Sequence, residues 1–303
     1  MKPTVISIKL TSAQQKKLYS AWSESAVSQK DLPAYAVFQL RPERCVITCY
    51  TSGKTVFQGS DAEVYASPFQ TASAPSTEAV ALPGTVSHDT LPQAGSDEVG
   101  TGDYFGPVCV CATIVRPEDI ELMHQLGVRD SKALTDADIR KTAPELMKHL
   151  TYSLLILNNR KYNEVHVTTN MNAVKAKLHN QAYVNLSKKA ELPKFKIIDQ
   201  FAEEPIYYHY LKNEPTVIRQ IHFETKAENK YPAVGAASMI ARYAFLKSMD
   251  AMEEQYGMKF QKGAGSAVDR CAEQFIEKYG PGKLGDVAKL HFKNTERIKG
   301  LDH

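Results

Sequence analysis

The sequence predicts an α/β protein in which a larger α/β domain follows a small N-terminal α+β domain. Three observations lead to this prediction: a strand–helix–strand–strand–strand order before residue 66, a run rich in Pro, Ser, Thr and Ala after it, and strands that alternate with helices from residue 94 onwards. The chain has 303 residues, 43% hydrophobic and 23% charged, so it is long enough to bury its cores without disulfides. We expect domains at 1–66 and 94–303, joined by a linker at 67–93.

The N-terminal elements follow one another closely. Residues 4–10 predict a strand, and residues 12–25 predict a short helix with Leu18, Ala21 and Trp22 on one face. Three β-rich runs come next, separated by turn signals: AYAVFQLR, CVITCYTSG and KTVFQG. This order would suit a curved antiparallel sheet with a helix on one face.

The second domain begins with a strand, a glycine turn and another strand in SDEVGTGDYFGPVCVCATIV. Helices are expected within 118–149 and across 171–190, and a long helix with small residues near its start is expected from residue 234. Further strands are predicted in TYSLLILN, KFKIIDQF and PTVIRQIHFETKAE. The alternation of strands with helices is typical of an α/β domain.

Composition excludes several classes of protein. The five cysteines form no CxxC pair and no regular framework, which argues against a disulfide scaffold and a zinc ribbon, and Cys109 and Cys111 are interpreted as small apolar strand residues. The N-terminus lacks the apolar core of a signal peptide, and no run approaches the ~18 apolar residues of a membrane span. We therefore expect a cytoplasmic protein.

Four acidic side chains stand at the ends of predicted elements in the second domain. Asp97 and Glu98 precede the glycine turn, whereas Asp199 ends the strand KFKIIDQF. Glu228 comes just before the long helix. Carboxylate oxygens are the natural ligands of Mg²⁺ and Mn²⁺. Two such cations roughly 4 Å apart can activate a water and stabilise the departing oxygen of a phosphodiester.

Spacing alone does not select these four acids. Neighbours on a regular strand point to opposite faces, so Asp97 and Glu98 could share one site only through a β-bulge or through a backbone contribution. Gly100 and Gly102 would leave backbone amides open to a sugar or phosphate, although a GxG sequence is more often only a turn. Other carboxylates compete for the same role: Asp103, Asp130, Asp136, Glu203, Glu204 and Glu224.

A series of ordered segments resembles the type 2 ribonucleases H. GSDEVGTGDYFGP at 95–107 is similar to the opening motif of that family, and its GTGDYFGP form resembles ribonuclease HIII more than ribonuclease HII, which typically has an arginine between the glycines. The remaining segments are similar in order along the chain: VRDSKALTD, Ile198–Phe201, TKAENKYPAVGAASMIARY, KGAGSAVD and KLHFKNT.

The resemblance implies a ribonuclease H-like catalytic domain and an endonuclease that hydrolyses the RNA strand of an RNA–DNA hybrid. It implies Mg²⁺ or Mn²⁺ as cofactor, with two ions per site when substrate is bound, and 5′-phosphate and 3′-hydroxyl product ends. The implied catalytic residues, which are also the implied metal ligands, are Asp97, Glu98, Asp199 and Glu228. Asn229 is the neighbour that a one-residue slip in alignment would select instead of Glu228.

The resemblance also implies a substrate-binding set. Lys132 could equally be a solvated lysine, and Arg242 on a helix could equally be a surface salt-bridge partner. The residues implied to contact the RNA backbone or its phosphates are Gly100, Thr101, Gly102, Lys132 and Arg242.

The N-terminal segment AYAVFQLRPERCVITCYTSGKTVFQGSDAE resembles the small domain of ribonuclease HIII, which is similar to half of a TATA-binding-protein fold and grips substrate in that family. Residues 1–65 contain eight basic and five acidic side chains, so their excess equals the net charge of +3 of the whole chain. Binding to a nucleic-acid backbone requires such an excess, although a solvated face would also produce one.

Two other functions stay open at this point. One is a ribonuclease HII-like activity, which cuts at single ribonucleotides in duplex DNA. The other is a hybrid-binding protein without catalysis, which four intact acids argue against, because clustered carboxylates give an inert binder no benefit. We expect a monomer whose partner is an RNA–DNA hybrid and which does not bind membranes.

Overall fold

The computed structural model describes residues 4–70, 89–128 and 134–298. These residues form two compact units, one made of 4–70 together with 201–214 and the other made of the remaining described residues. The predicted linker at 67–93 lies mostly outside the described residues. Within the described ranges, no helix combines the length and the apolar character that crossing a membrane would need.

The first unit is built on a four-stranded antiparallel sheet. Its strands are arranged in the order β1-β4-β3-β2. The helix α1 begins after Thr11, whose side chain accepts a hydrogen bond from the amide of Gln14 and so caps the helix. The predicted order of one strand, one helix and three strands is confirmed. The elements are β1 (Thr4–Lys9), α1 (Ser12–Trp22), β2 (Ala36–Leu40), β3 (Cys45–Tyr50), β4 (Lys54–Gly59), α2 (Ala62–Gln70) and, from 201–214, α7 (Glu204–Tyr210).

The two faces of this sheet differ in burial. One face carries Leu40, Ile47 and Phe57, which are fully buried and share a core with α1, α2 and α7. On the other face, Val5, Ser7 and Lys9 of β1 are exposed and pair with Gln58, Val56 and Lys54 of β4. We call the surface formed by these six residues the open face.

The second unit is built on a five-stranded mixed sheet with the strand order β7-β6-β5-β8-β9. The strand β5 pairs antiparallel with β6 and parallel with β8, so it lies at the centre of the sheet. The strands are β5 (Gln93–Val99), β6 (Val108–Val115), β7 (Thr151–Leu157), β8 (Phe195–Asp199) and β9 (Ile221–Glu224). The helices are α3 (Ile120–Gln125), α4 (Asp136–His149), α5 (Asn159–His166), α6 (Met171–Ser187), α8 (Pro232–Tyr256), α9 (Ser266–Tyr279) and α10 (Lys293–Arg297).

Helices cover both faces of this second sheet. The helix α8 packs so closely on one face that a Cβ atom at Gly95 would lie 2.3 Å from the backbone nitrogen of Val234. The other face contacts α6, whose Tyr183 hydroxyl donates to the backbone oxygens of Ala94 and Ile197. The small residues at the start of α8 therefore serve the close packing that their composition predicts.

Most predicted elements of the second unit are confirmed, with some differences. The strand predicted within 215–228 is limited to the four residues of β9, and α5, α9 and α10 were not predicted, nor were α2 and α7 of the first unit. Cys109 and Cys111 are buried in β6, as the apolar interpretation requires, and every cysteine is a free thiol. The predicted α/β class with a small N-terminal α+β domain is confirmed.

Candidate active site at the ends of the central strands

The acids Asp97 and Glu98 occupy the end of β5 and face opposite sides of the sheet. The pairing of β5 with β6 runs without a register shift from Gln93 to Val99, so no bulge separates the two acids. Alternation therefore directs Asp97 towards α8 and Glu98 towards α6. The two side chains therefore point to opposite faces of the sheet, as the sequence predicts for neighbours on a regular strand, and no β-bulge brings them together.

Asp97 is a buried carboxyl group with 7% of its surface exposed. One of its oxygens accepts a hydrogen bond of 2.7 Å from the backbone amide of Glu98, and Ser238 of α8 also bonds to it. Burial raises the pKa of Asp97 well above its usual value, and the charges of Glu98 and Asp199 raise it further. Asp97 is therefore close enough to both Glu98 and Asp199 to be repelled by their charges.

Glu98 is held by two side chains of α6 that were not predicted. Lys175 lies 2.5 Å from one carboxylate oxygen, and the Nε2 atom of His179 lies 2.8 Å from the other. The Nδ1 atom of His179 is 2.7 Å from the hydroxyl of Ser96, which faces the same side of β5 as Glu98. Burial alone would raise the pKa of Glu98, but Lys175 and His179 lower it to about 2.

The sequence contained a signal for this cluster. Lys175 and His179 are four residues apart, which places them on one face of a helix, and Ser96 and Glu98 are two residues apart, which places them on one face of a strand. Combining the two periods would have required knowing that α6 lies against β5, which a single sequence does not show.

Asp199 and Glu228 occupy the neighbouring strand end and the turn that follows β9. The carboxylate of Asp199 accepts a hydrogen bond of 2.8 Å from the backbone amide of Ala227. Glu228, the next residue, lies in the short 3₁₀ turn Ala227–Asn229 and is 4% exposed. This contact brings the third and fourth predicted acids to the same edge of the sheet.

The glycine turn after β5 contains one glycine that the fold requires and one that it does not. Gly100 has a φ of +95°, and a Cβ atom there would lie 2.1 Å from the backbone oxygen of Pro107. Gly102 is exposed, and a Cβ atom there would meet nothing within 4 Å. Gly102 therefore leaves open space at the surface of the turn, beside the partly exposed Thr101.

A buried lysine supports the loop that contains this turn. The ammonium of Lys289 is fully buried and donates hydrogen bonds of 2.7 and 2.5 Å to the backbone oxygens of Asp103 and Gly106. Burial lowers the pKa of Lys289 to about 7. The KLHFKNT segment thus has a structural role that was not predicted.

Two residues, Arg242 and Lys132, were predicted to contact phosphate, and only Arg242 lies within the described residues. Arg242 of α8 makes an ion pair of 2.7 Å with Asp136 and donates a hydrogen bond to the backbone oxygen of Leu134. The guanidinium is thus engaged within the protein, as the salt-bridge interpretation expects, and its contact with phosphate stays a prediction. Lys132 lies outside the described residues.

The donors at this edge suit a hard divalent cation in their chemistry. All four predicted ligands are carboxylates, and a bound cation would relieve the like-charge repulsion around Asp97. Among the described residues, however, no three acidic, histidine or cysteine side chains are close enough, as they stand, to form a metal-binding group. As the structure stands, Glu98 is engaged by α6 and lies on the opposite face of β5 from Asp97.

Known proteins are similar to this chain along almost its whole length. A family described as Ribonuclease HII matches residues 94–295, and a domain of unknown function (DUF3378) matches residues 5–80. Ribonuclease HIII of Bacillus pumilus (strain SAFR-032) is 40% identical over 301 residues, which cover 96% of this chain and 97% of the relative. Ribonuclease HIII of Bacillus subtilis (strain 168) is 40% identical over 313 residues, covering 99% and 98%.

The fold is similar to that of solved structures as well. The crystal structure of Bst-RNase HIII in complex with Mn²⁺ is 36% identical in sequence, has a TM-score of 0.68, and matches over 97% of each chain. The likeness therefore includes both units, rather than the acidic edge of the second sheet alone.

Proposed function

The chain belongs to the ribonuclease HIII family, and from this premise we propose how its residues hydrolyse the RNA strand of an RNA–DNA hybrid. The observation that carries the proposal is the position of Asp97, Glu98 and Asp199 at adjacent strand ends, where burial and then the charges of Glu98 and Asp199 raise the pKa of Asp97. Members of the family are endoribonucleases, and dependence on a divalent metal is general among them.

The four acids have different tasks in this proposal. Asp97, Glu98, Asp199 and Glu228 would together hold the cations, and Asp97 would be the ligand common to both, as the family resemblance implies. Mg²⁺ or Mn²⁺ bound there would lower the pKa of a water and stabilise the departing oxygen. Ser238 and the amides of Glu98 and Ala227 keep the carboxylates oriented through the hydrogen bonds described above.

The glycine turn would distinguish RNA from DNA. Thr101 and the open surface at Gly102 allow a ribose to approach the backbone closely, and only a 2′-hydroxyl separates the two strands chemically at one position. Gly100 fixes the path of the turn, because its backbone conformation excludes most side chains. Equal cleavage of the DNA strand would rule out this recognition.

The open face of the first unit is the proposed substrate grip. Lys9 and Lys54 are paired across β1 and β4 and are both exposed, so their charges can contact phosphates. The flanking Val5 and Val56 offer apolar surface on the same side of the sheet. We place hybrid binding on this face and cleavage at the acidic strand ends.

The test of the proposed function compares two labelled substrates in Mg²⁺ and in Mn²⁺. One is an RNA–DNA hybrid and the other is a DNA duplex with a single ribonucleotide. We expect cleavage of the RNA strand of the hybrid at many positions, with 5′-phosphate and 3′-hydroxyl ends. A 2′,3′-cyclic phosphate end would overturn the mechanism, because that product requires the 2′-hydroxyl of the substrate as nucleophile. Cleavage confined to the single ribonucleotide would instead favour the ribonuclease HII-like activity.

A further inference from the structure

The N-terminal half of α6 presents two buried polar side chains to Glu98. Lys175 is 8% exposed and His179 is fully buried, and they lie one helical turn apart. Each engages a different oxygen of the Glu98 carboxylate, Lys175 at 2.5 Å and His179 at 2.8 Å. Both oxygens therefore already have a partner on α6.

His179 is fixed at both of its ring nitrogens. The Nε2 atom of His179 lies 2.8 Å from a carboxylate oxygen of Glu98, and its Nδ1 atom lies 2.7 Å from the hydroxyl of Ser96. Because Ser96 and Glu98 lie on the same strand, the ring connects two points of one rigid element. Such a contact restricts the rotation of the carboxylate.

Lys175 places an ammonium against the same carboxylate. Its ammonium neutralises a buried carboxylate when no other cation is near, which stabilises the site. A divalent cation that binds the same carboxylate must share an oxygen with this ammonium or displace it, and the two positive charges repel at short range.

We propose that Lys175 and His179 are positioning residues for Glu98 with opposite effects on cation binding. His179 holds the carboxylate in a fixed orientation and so favours the cation, whereas Lys175 competes with the cation for the carboxylate and so lowers its affinity. This inference rests on the proposed function, because it takes Glu98 as a ligand.

The experiment measures Mn²⁺ binding to the full chain by isothermal titration calorimetry, without substrate. Lys175→Met should tighten binding about tenfold, because a like-charge repulsion at a few ångströms is removed. His179→Ala should weaken it about tenfold, as loss of a hydrogen bond that orients a ligand does. The matched control is Lys177→Met, which removes the same charge from an exposed position on the same helix and should leave the affinity unchanged.

Shifts in the same direction for Lys175→Met and His179→Ala, or an unchanged affinity in either, would overturn the inference. Thermal melting in EDTA reports whether each variant folds, and Lys175→Gln, which keeps a polar group beside Glu98, replaces Lys175→Met if the latter does not. A second readout is cleavage at saturating Mn²⁺, which should recover for His179→Ala but not for Glu98→Gln.

Failure of this inference can be told apart from failure of the proposed function. If the wild-type chain does not bind Mn²⁺ or does not cut the hybrid, the proposed function is wrong. If the wild-type chain does both and the two α6 variants do not move the affinity in opposite directions, only the positioning roles are wrong.

Discussion

The sheet of the first unit covers one face and exposes the other, whereas the sheet of the second unit is covered on both faces. In the first, Val5, Ser7 and Lys9 of β1 alternate with partly buried neighbours. In the second, every residue of β6 is buried. A sheet with an exposed face can bind a polymer along its strands, but a doubly covered sheet offers only its strand ends, where Asp97 and Asp199 lie.

This difference in exposure gives the charged residues of the two sheets different physical roles, one suited to binding and the other to catalysis. Charges on the open face are solvated, so each contributes weakly and mainly through its attraction to phosphates. Charges at the covered strand ends are desolvated, so they interact strongly and shift one another's pKa values. Substitutions in the two places should therefore have effects that differ in size and in kind.

The largest expected effect comes from the covered strand ends. Asp97→Asn and Asp199→Asn should each reduce the rate of hybrid cleavage by about 10³-fold or more, because an amide keeps the shape but removes the charge that holds a cation. Single-turnover cleavage at saturating enzyme measures this, with circular dichroism to verify the fold. Hybrid affinity should change little, since the open face is untouched.

Glu228→Gln tests the assignment of the fourth acid separately. We expect a loss of the same order, because Glu228 is buried beside the amide that orients Asp199. Full activity of this variant beside an inactive Asp199→Asn would show that the fourth acid has been assigned wrongly.

How far the sequence alone leads depends on the range of the contacts involved. The order of strands and helices along the chain, the small residues that suit the start of α8 to close packing and the apolar character of Cys109 follow from local periods and composition, and they are confirmed. The contact of Lys175 with Glu98 joins residues 77 positions apart. Periodicity can place each of them on a face, but it cannot say which two faces meet.

The helix α7 is a second example of a contact that the sequence alone does not predict, because it joins the first unit although it lies within the segment predicted for the second domain. Its sequence gives no sign that it belongs to the core formed with α1 and α2, yet Ile206 is buried there. Removing residues 1 to about 90 would therefore expose part of α7, which makes point substitutions on the open face a cleaner test of binding than truncation.

The glycine turn provides the next largest effect. Gly100→Ala should destabilise the fold by about 2 kcal/mol, because it combines a positive φ with a clash against Pro107. Gly102→Ala is the matched control for folding and should leave the stability unchanged. If Gly102→Ala nevertheless raises KM for the hybrid, the turn contacts substrate as proposed; urea unfolding and steady-state kinetics distinguish the two variants.

The open face should give a smaller effect on binding alone. Replacing Lys9 and Lys54 together by alanine should weaken hybrid binding about tenfold at low salt. The slope of the logarithm of affinity against the logarithm of salt concentration should become shallower by about two units, as the loss of two phosphate contacts requires. The rate at saturating enzyme should stay at the wild-type value. Fluorescence anisotropy at several salt concentrations measures the affinity, and unchanged binding would show that the open face is not the grip.

The smallest expected effect is one of stability, and it contrasts the two sheets directly. Burial and neighbouring charges raise the pKa of Asp97, so the folded protein holds this proton more tightly than the unfolded chain does. Metal-free wild-type protein should therefore lose stability as the pH rises above about 4, the ordinary value for an aspartate. Asp97→Asn removes this cost and keeps the oxygen that accepts from the amide of Glu98. In EDTA at neutral pH its melting temperature should exceed that of the wild type by roughly 2–4 °C, and the difference should vanish near pH 4.

Lys54→Ala, on the open face, should leave the melting temperature unchanged at both pH values, because a solvated charge contributes little. A lower melting temperature for Asp97→Asn at neutral pH would mean that neither burial nor the neighbouring acids penalise the charge of Asp97, and that the contrast between the two sheets is one of shape alone.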